Sequence, residues 1–199
     1  RSASNGLLPS TSSGQQAPHL LDPFCGSGQI PIEALRLGWT VTASDLDAHG
    51  VERTRKNLAW AQERSADAAK QRWTAFPSDI AKLADQVQTG SIDAIVTEPD
   101  LGPPLKLSSA VPSSRVLDSV AATVGSAFEA GRTLIRSGGC LVIVIPIIAG
   151  HRIAQRLFKP EPSRRVDDSV RTGYTLRATL HYSRPDSRVE REIFVFDKE

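Results

Sequence analysis

The chain has 199 residues, of which 40% are hydrophobic and 23% charged, and its formal net charge is +2. This length and composition predict one globular domain with a substantial core, and the small net charge gives no prediction of nucleic-acid binding. No apolar run reaches the roughly 18 residues of a membrane-spanning helix, so we expect no membrane segment. The two cysteines, Cys25 and Cys140, are too few for a disulfide framework, and they favour reduced thiols and a cytoplasmic location.

Along the chain, a polar segment rich in Ser, Gly and Pro comes first, and strand and helix patterns then alternate. We predict a flexible segment at 1–17 and a folded domain at 18–199. The predicted strands are 19–24, 39–44, 72–77, 91–97 and 140–145, with Pro146 ending the last of these, and the predicted helices are 30–37, 48–63, 80–87, 115–135 and 154–158. Residues 174–183 and 190–196 alternate apolar and polar side chains, which predicts a terminal antiparallel pair. This order predicts an α/β fold with helices on both faces of a mostly parallel sheet.

The most distinctive stretch is the string DPFCGSG at 22–28, between the first predicted strand and the first predicted helix. Its glycines let the backbone approach a ligand closely, because no Cβ stands in the way. The string lacks the lysine and Ser/Thr of a phosphate-binding P-loop and the full G-x-G-x-x-G spacing of dinucleotide sites. It therefore favours a small, positively charged nucleoside ligand over a polyphosphate.

Acidic residues stand at the ends of four predicted strands: Asp22, Asp45, Asp79 and Glu98. Ligands of open α/β sheets bind beyond the carboxyl ends of the strands, so these acids predict a shared site. Asp45 follows Asp22 by 23 residues, close to the spacing at which an acid accepts ribose hydroxyls. Asp47 is an alternative for that role, although it also suits the N-cap of the next helix.

The DPFCGSG string resembles motif I of class I S-adenosylmethionine (SAM) methyltransferases, in the branch that methylates exocyclic amino groups of nucleic acids. Over 20–195 the chain is most similar to the catalytic domain of the THUMP-linked tRNA guanine-N2 methyltransferases. This resemblance implies a Rossmann-like class I methyltransferase fold with a seven-stranded sheet, and S-adenosyl-L-methionine as cofactor. The cofactor-binding residues that it implies are Asp22, Pro23, Phe24, Cys25, Gly26, Gly28, Asp45, Leu46, Asp79 and Ile80.

The same resemblance implies separate roles for the acids. Asp22 is expected near the methionine amino group of SAM, Asp45 at the ribose, and Asp79 at the adenine amino group, with Ile80 against the ring. Capping of the following helix is a second role for Asp79, and the two roles are compatible.

The segment Glu98-Pro99-Asp100-Leu101-Gly102 lies where amino methyltransferases carry (D/N)-P-P-(Y/F). An exocyclic amino nitrogen is a poor nucleophile because its lone pair is delocalised into the base. A carboxylate and a backbone carbonyl that accept its two hydrogens localise that lone pair, and the aromatic residue stacks on the flipped base. We therefore assign Glu98, Pro99 and Asp100 as candidate catalytic residues, and Leu101 and Gly102 as candidate substrate-binding residues.

The segment also departs from the family pattern, because Asp100 replaces the second proline and Leu101 replaces the aromatic residue. Base–aromatic stacking contributes roughly 1–3 kcal/mol, which leucine cannot fully supply. Glutamate is also one methylene longer than aspartate. Three interpretations stay open: an active but divergent site, a target other than guanine, or a weakened site.

The resemblance implies a SAM-dependent enzyme that methylates an exocyclic amino group of RNA, with guanine N2 in tRNA as the first candidate. The alternatives are a DNA amino (adenine-N6 or cytosine-N4) methyltransferase and a SAM-binding module without catalysis. In the family a tRNA-binding domain precedes motif I, so we expect RNA capture by a domain outside this chain. No histidine has a second ligand at metal-binding spacing, so we predict no metal.

Overall fold

The computed structural model describes residues 17–101, 112–158, 173–183 and 189–199, so 1–16 of the predicted flexible segment lie outside the described residues. The strands are β1 (His19–Asp22), β2 (Thr40–Asp45), β3 (Trp73–Pro77), β4 (Ile92–Thr97), β5 (Ile135–Ile148), β6 (His151–Arg152), β7 (Tyr174–Tyr182) and β8 (Val189–Lys198). The helices are α1 (Gln29–Arg36), α2 (Ala48–Arg64), α3 (Ser114–Leu134) and α4 (Ala154–Leu157), with 3₁₀ helices at Ala68–Lys70 and Ile80–Asp85.

One sheet organises the described part of the chain. Seven strands follow the order β3-β2-β1-β4-β5-β8-β7, and the two-residue β6 pairs with β5. Strands β1 to β5 pair in parallel, whereas β8 is antiparallel to both β5 and β7. The predicted α/β fold, with a mostly parallel sheet and a terminal antiparallel pair, is confirmed, and β6 is an addition to it.

The strand order reverses at β1, which lies between β2 and β4. The register places Asp22 beside Ala43 of β2 and Leu21 beside Ile95 of β4. The carboxyl ends of β1, β2 and β4 therefore meet at one edge of the sheet, and such a reversal point is where open α/β sheets bind ligands.

Helices pack on both faces and hold the sheet in place. On one face, the Phe128 ring of α3 makes edge contacts with Phe158, Tyr174 and Phe196, at centroid distances of 5.9, 5.7 and 5.2 Å. On the other face, α1 and α2 pack on β1 and its neighbours through an apolar cluster that includes the fully buried Leu35 and Leu58. Aromatic pairs of this kind add to the hydrophobic stabilisation, so the strand ends are held by a well-packed core.

Strand β5 is longer than predicted, because it begins at Ile135 and continues through Pro146 to Ile148. The pairing of β4 with β5 ends at Ile143, before Pro146. On that side of β5, the Pro146 carbonyl accepts a hydrogen bond from Ile153 N–H at 3.2 Å. The N and C=O of one strand residue point to the same side, so the missing N–H of Pro146 removes no bond to β8. The prediction that Pro146 ends the strand is therefore wrong, because the missing N–H of Pro146 faces the side where β4 has ended and not the ladder with β8.

The predicted helix at 80–87 is also different in the structure. It is a 3₁₀ helix from Ile80 to Asp85, and Asp79 caps it by accepting the Ala81 N–H at 3.0 Å. An Asp or Ser before an apolar segment predicts the start of a helix, but it does not distinguish an α-helix from a 3₁₀ helix.

Candidate cofactor and active site

A cavity of about 400 Å³ lies at the edge where β1, β2 and β4 end, a volume within the usual range for small-ligand sites. The described residues that line it are Asp22, Phe24, Cys25, Gly26, Ser27, Gln29, Ile30, Asp45, Glu98, Pro99 and Asp100. Four of these carry carboxylates, and none of these described residues carries a cationic side chain. The cavity therefore suits a positively charged ligand and disfavours a polyphosphate.

Asp22 lies at the base of the cavity and is 1% exposed. Its Oδ1 accepts the Thr97 hydroxyl at 2.7 Å and the Phe24 N–H at 3.2 Å. Burial raises the pKa of Asp22 to about 7, the charges of Asp45 and Glu98 act in the same direction, and the two hydrogen bonds oppose the rise. A nearby cation favours the ionised form of a carboxylate, so a cationic ligand would offset this cost of burial.

The glycine loop after β1 has the backbone conformation that its sequence predicts. Gly26 and Gly28 have φ angles of +52° and +89°, in the left-handed region that favours glycine. Gly28 is the N-cap of α1, and its N–H donates to the Cys25 carbonyl at 2.7 Å. A Cβ on Gly28 would also lie 3.0 Å from Thr54 Oγ1, so both conformation and space require glycine here.

Helix α2 holds this loop from behind, which the sequence interpretation missed. The Thr54 hydroxyl donates to the Gly26 carbonyl at 3.2 Å, and Asn57 Nδ2 donates to the Ser27 carbonyl at 2.8 Å. A Cβ on Gly50 would lie 3.0 Å from the Gly26 carbonyl oxygen, so glycine permits this close approach. The three α2 residues are spaced by four and three positions, and this stripe of small and polar side chains was the available signal.

Asp45 and Asp47 have different roles in the structure. Asp45 lines the cavity, and its two oxygens accept the N–H groups of Gly26 and Asp47, both at 2.9 Å. Asp47 caps α2 by accepting from His49 N–H at 2.9 Å and Gly50 N–H at 3.0 Å. Each Asp45 oxygen has a second lone pair that can accept a ligand hydroxyl. The structure therefore favours Asp45 over Asp47 for contact with a ligand.

Five predicted cofactor-binding residues are not among the described lining residues: Pro23, Gly28, Leu46, Asp79 and Ile80. Leu46 follows Asp45 and is 78% exposed. Asp79 is exposed at the end of β3, and Ile80 is half-buried against the main core. Their contacts with a cofactor stay predictions.

The candidate catalytic residues directly follow β4, which ends at Thr97. Glu98 is half-buried, Pro99 is buried and Asp100 is exposed, and all three line the cavity. The Glu98 carboxylate accepts a hydrogen bond from Arg191 Nε at 2.9 Å. Leu101 is half-buried and outside the lining, and Gly102 lies outside the described residues.

Sequence reasoning missed two side chains that donate hydrogen bonds to acids of the site, Thr97 to Asp22 and Arg191 to Glu98. Thr97 is the last residue of β4, so its position next to Glu98 was a usable signal for a contact at the strand ends. Arg191 is 93 residues from Glu98, and no local pattern connects two residues that are so far apart.

In the described ranges of the chain, no group of three or more His, Cys, Asp or Glu side chains is arranged to hold a metal ion. Within the same ranges, no helix has the length and apolar character that crossing a membrane requires.

Comparison with known proteins adds a family match. A family model described as an RMKL-like methyltransferase domain matches residues 5–113. A protein of Methanothermococcus thermolithotrophicus named "Probable tRNA (guanine(10)-N2)-dimethyltransferase" is 35% identical over 83 residues, which are 42% of this chain and 50% of that protein. The tRNA (guanine(10)-N2)-dimethyltransferase of Methanothermobacter thermautotrophicus is 39% identical over 83 residues, which are 42% of this chain and 22% of that protein.

These matches span about half of the first relative's length and about a fifth of the second's. Among solved structures, a SAM-dependent methyltransferase from Methanosarcina mazei superposes with a TM-score of 0.57 at 14% identity. The superposition covers 92% of this chain and 93% of the other, and it shows that the two share a fold.

Proposed function

Because the chain belongs to the RMKL-like methyltransferase domain family, we propose that it is a SAM-dependent enzyme that methylates an exocyclic amino group of RNA, with guanine N2 of tRNA as its target. The predicted resemblance to methyltransferases is confirmed at the level of this family. The tRNA target is supported by the two curated relatives, both named as tRNA guanine-N2 methylating enzymes. The observation that carries the proposal is the single cavity that joins Asp22, Asp45 and Glu98 at one edge of the sheet.

The charge of this cavity suits SAM. SAM carries two cationic groups, the α-amino group and the sulfonium, and the cavity has four carboxylates among its described lining residues. In our proposal Asp22 binds the amino group, Asp45 accepts the ribose hydroxyls and Asp79 accepts the adenine amino group. Gly26 brings the backbone close to the ligand without a Cβ.

The candidate catalytic residues prepare the acceptor nitrogen. When bound, SAM supplies an electrophilic methyl group on a sulfonium that is already a good leaving group. Glu98 and the backbone carbonyl of Pro99 accept the two hydrogens of the amino group, which localises its lone pair. Pro99 is buried and has a fixed φ, so its carbonyl is held in one place. Catalysis is then mostly positioning, and no strong base is needed before attack.

We also propose how this chain works with the rest of the system. Residues 18–199 act as the catalytic domain, and a separate domain captures the tRNA. The greater length of the second curated relative, of which the match spans 22%, supports such a division. A tRNA substrate and two buried free thiols, Cys25 and Cys140, favour a cytoplasmic location.

Two measurements test the proposal in order. Titration calorimetry of the 199-residue chain with SAM should show one site, and Asp22→Ala should bind more weakly. Tritium from labelled SAM should then appear in tRNA, and not in DNA or protein controls. Absence of SAM binding would refute the proposal. Label in DNA would favour the DNA amino methyltransferase, and binding without transfer would favour a SAM-binding module, which the replacement of the aromatic residue by Leu101 allows.

A further inference from the structure

Arg191 of β8 reaches across the sheet to the candidate catalytic segment. Its Nε donates to Glu98 Oε1 at 2.9 Å, although β5 lies between β8 and β4, the strand that ends just before Glu98. The residue of β5 opposite Arg191 is Pro146, which has no polar side-chain group. Nothing at this position of β5 therefore competes for the guanidinium as it crosses to the end of β4.

The next residue of β8 is paired elsewhere, so it does not compete for Arg191. Glu192 is 3% exposed, and it accepts a hydrogen bond from Arg152 Nε at 3.2 Å. Successive residues of a strand point to opposite faces, so the two ion pairs lie on different faces of the sheet. The Arg191 charge is thus directed to Glu98.

We propose that Arg191 is a positioning residue, which holds the longer Glu98 side chain in the geometry needed to accept the hydrogens of the target amine; this rests on the function proposed above. Glutamate has one more rotatable bond than the aspartate of the family pattern, so its carboxylate is less well fixed. The Arg191 contact takes one carboxylate oxygen, Oε1, and leaves Oε2 for the amine.

Repulsion from the other acids of the cavity acts on the Glu98 carboxylate, and the contact with Arg191 opposes this repulsion. Asp22 and Asp45 line the same cavity as Glu98, and the Glu98 charge already acts on Asp22. Like charges repel, so the charges of Asp22 and Asp45 would turn an unrestrained Glu98 away from these two residues. The Arg191 guanidinium donates a hydrogen bond to the Glu98 carboxylate and so fixes the orientation of that carboxylate.

Stability alone does not explain this pair. The side chains of Arg191 and Glu98 are 34% and 38% exposed, and ion pairs with such exposure contribute little to folding. The chain offers a matched control in Arg177 and Asp197, an ion pair between β7 and β8 with side chains 41% and 40% exposed. Removal of either arginine should lower the thermal midpoint by a similar small amount, whereas removal of Arg191 should also impair methyl transfer.

The test compares Arg191→Gln, Arg191→Lys and Arg177→Gln in SAM binding and in methyl transfer to tRNA. For Arg191→Gln we expect kcat to fall roughly 10- to 100-fold, as for a misplaced reacting group. The SAM Kd and the KM for tRNA should stay within about twofold of the wild type, since the lost contact is to Glu98 and not to either ligand. Arg191→Lys should restore part of kcat, and Arg177→Gln should keep all of it.

Two outcomes of the kinetic test would overturn the proposal. A rise in KM with unchanged kcat would show that Arg191 contacts RNA directly. The other outcome is that Arg191→Gln lowers kcat by the same factor in a Glu98→Gln protein as in the wild type. That result would show that Arg191 does not act through Glu98, because the effects of residues that act as a unit are non-additive.

A crystal structure of Arg191→Gln gives a readout that does not depend on activity. We expect the Glu98 carboxylate to be displaced or divided between rotamers, while it has one conformation in the wild type. An unchanged Glu98 would overturn the positioning role even if the protein transfers no methyl group. Failure of the wild type to methylate any RNA would instead count against the proposed function.

Discussion

Replacing Thr97 with valine should weaken SAM binding in a pH-dependent way. The Thr97 hydroxyl donates to Asp22 Oδ1 at 2.7 Å, and both residues are 1% exposed. Valine has a similar shape but no donor, so the buried carboxylate would depend on the longer bond from Phe24 N–H, at 3.2 Å. Because the lost bond favours the ionised form, the pKa of Asp22 should rise above its value of about 7.

The size of the effect follows from the hydrogen bond that is lost. A hydrogen bond to a charged group contributes about 1.5–3 kcal/mol, and 1.36 kcal/mol corresponds to one pKa unit, so the pKa of Asp22 should reach roughly 8–9. At pH 7 the ionised fraction would then fall from about one half to roughly one tenth or one hundredth. Since the proposed partner of Asp22 is the cationic amino group of SAM, affinity at pH 7 should fall roughly 5- to 50-fold.

Titration calorimetry with SAM between pH 6 and 9 checks this prediction. In the wild type, affinity should rise as the pH passes about 7 and level off about one unit higher, because Asp22 must lose its proton to pair with a cation. For Thr97→Val, the rise in affinity should be shifted to higher pH by roughly one to two units, and the affinity should approach that of the wild type at the alkaline end. Thr97→Ser keeps the hydroxyl and is the matched control. An affinity loss of the same size at every pH would refute the reasoning.

Three further changes test other parts of the site. Gly50→Ala should lower both the thermal midpoint and SAM affinity, because its Cβ would lie 3.0 Å from the Gly26 carbonyl, whereas Gly125→Ala, whose Cβ would be 3.9 Å from its nearest neighbour, should do neither. Asp45→Ala should weaken SAM binding about tenfold or more and abolish the preference for SAM over its 2′-deoxyribose analogue, through loss of charge-assisted hydrogen bonds. Glu98→Ala should keep SAM affinity and lose roughly 100-fold or more in methyl transfer, since it orients only the acceptor.

Each of these changes has an outcome that contradicts its reasoning. Equal effects of Gly50→Ala and Gly125→Ala would show that the approach of α2 to the loop is unimportant. An Asp45→Ala variant that still prefers SAM to the deoxy analogue would show that Asp45 only supports the loop. Full methyl transfer by Glu98→Ala would remove Glu98 from the mechanism.

The sheet, and the meeting of two strand-end acids at one cavity, could be predicted because local patterns determine them. The strand patterns that end at Asp22 and Asp45 predict two strands of the sheet, and alternation with helices predicts that these strands are parallel. Parallel strands bring their carboxyl ends to one edge, so the two acids share a cavity in the structure. The glycine string added the position of the tight turn, at Gly26 and Gly28.

The features that sequence reasoning missed depend on distant parts of the chain. Pro146 lies within β5 because β4 ends before it, which only the strand register reveals. The partner of Glu98 is Arg191, which β8 brings close after it joins the sheet as an antiparallel strand. Neither effect leaves a pattern in the neighbouring residues, so propensity and periodicity could not indicate it.

Identification of the methylated nucleoside tests the central claim most directly. Unmodified tRNA is incubated with the protein and methyl-labelled SAM, digested to nucleosides, and separated with mass detection, with Glu98→Ala as the inactive control. Our account predicts that the label appears in N2-methylated guanosine and that the control lacks it. Label on a ring nitrogen, a ribose oxygen or a carbon atom would contradict the assignment of Glu98 and Pro99 as acceptors of the hydrogens of an exocyclic amine.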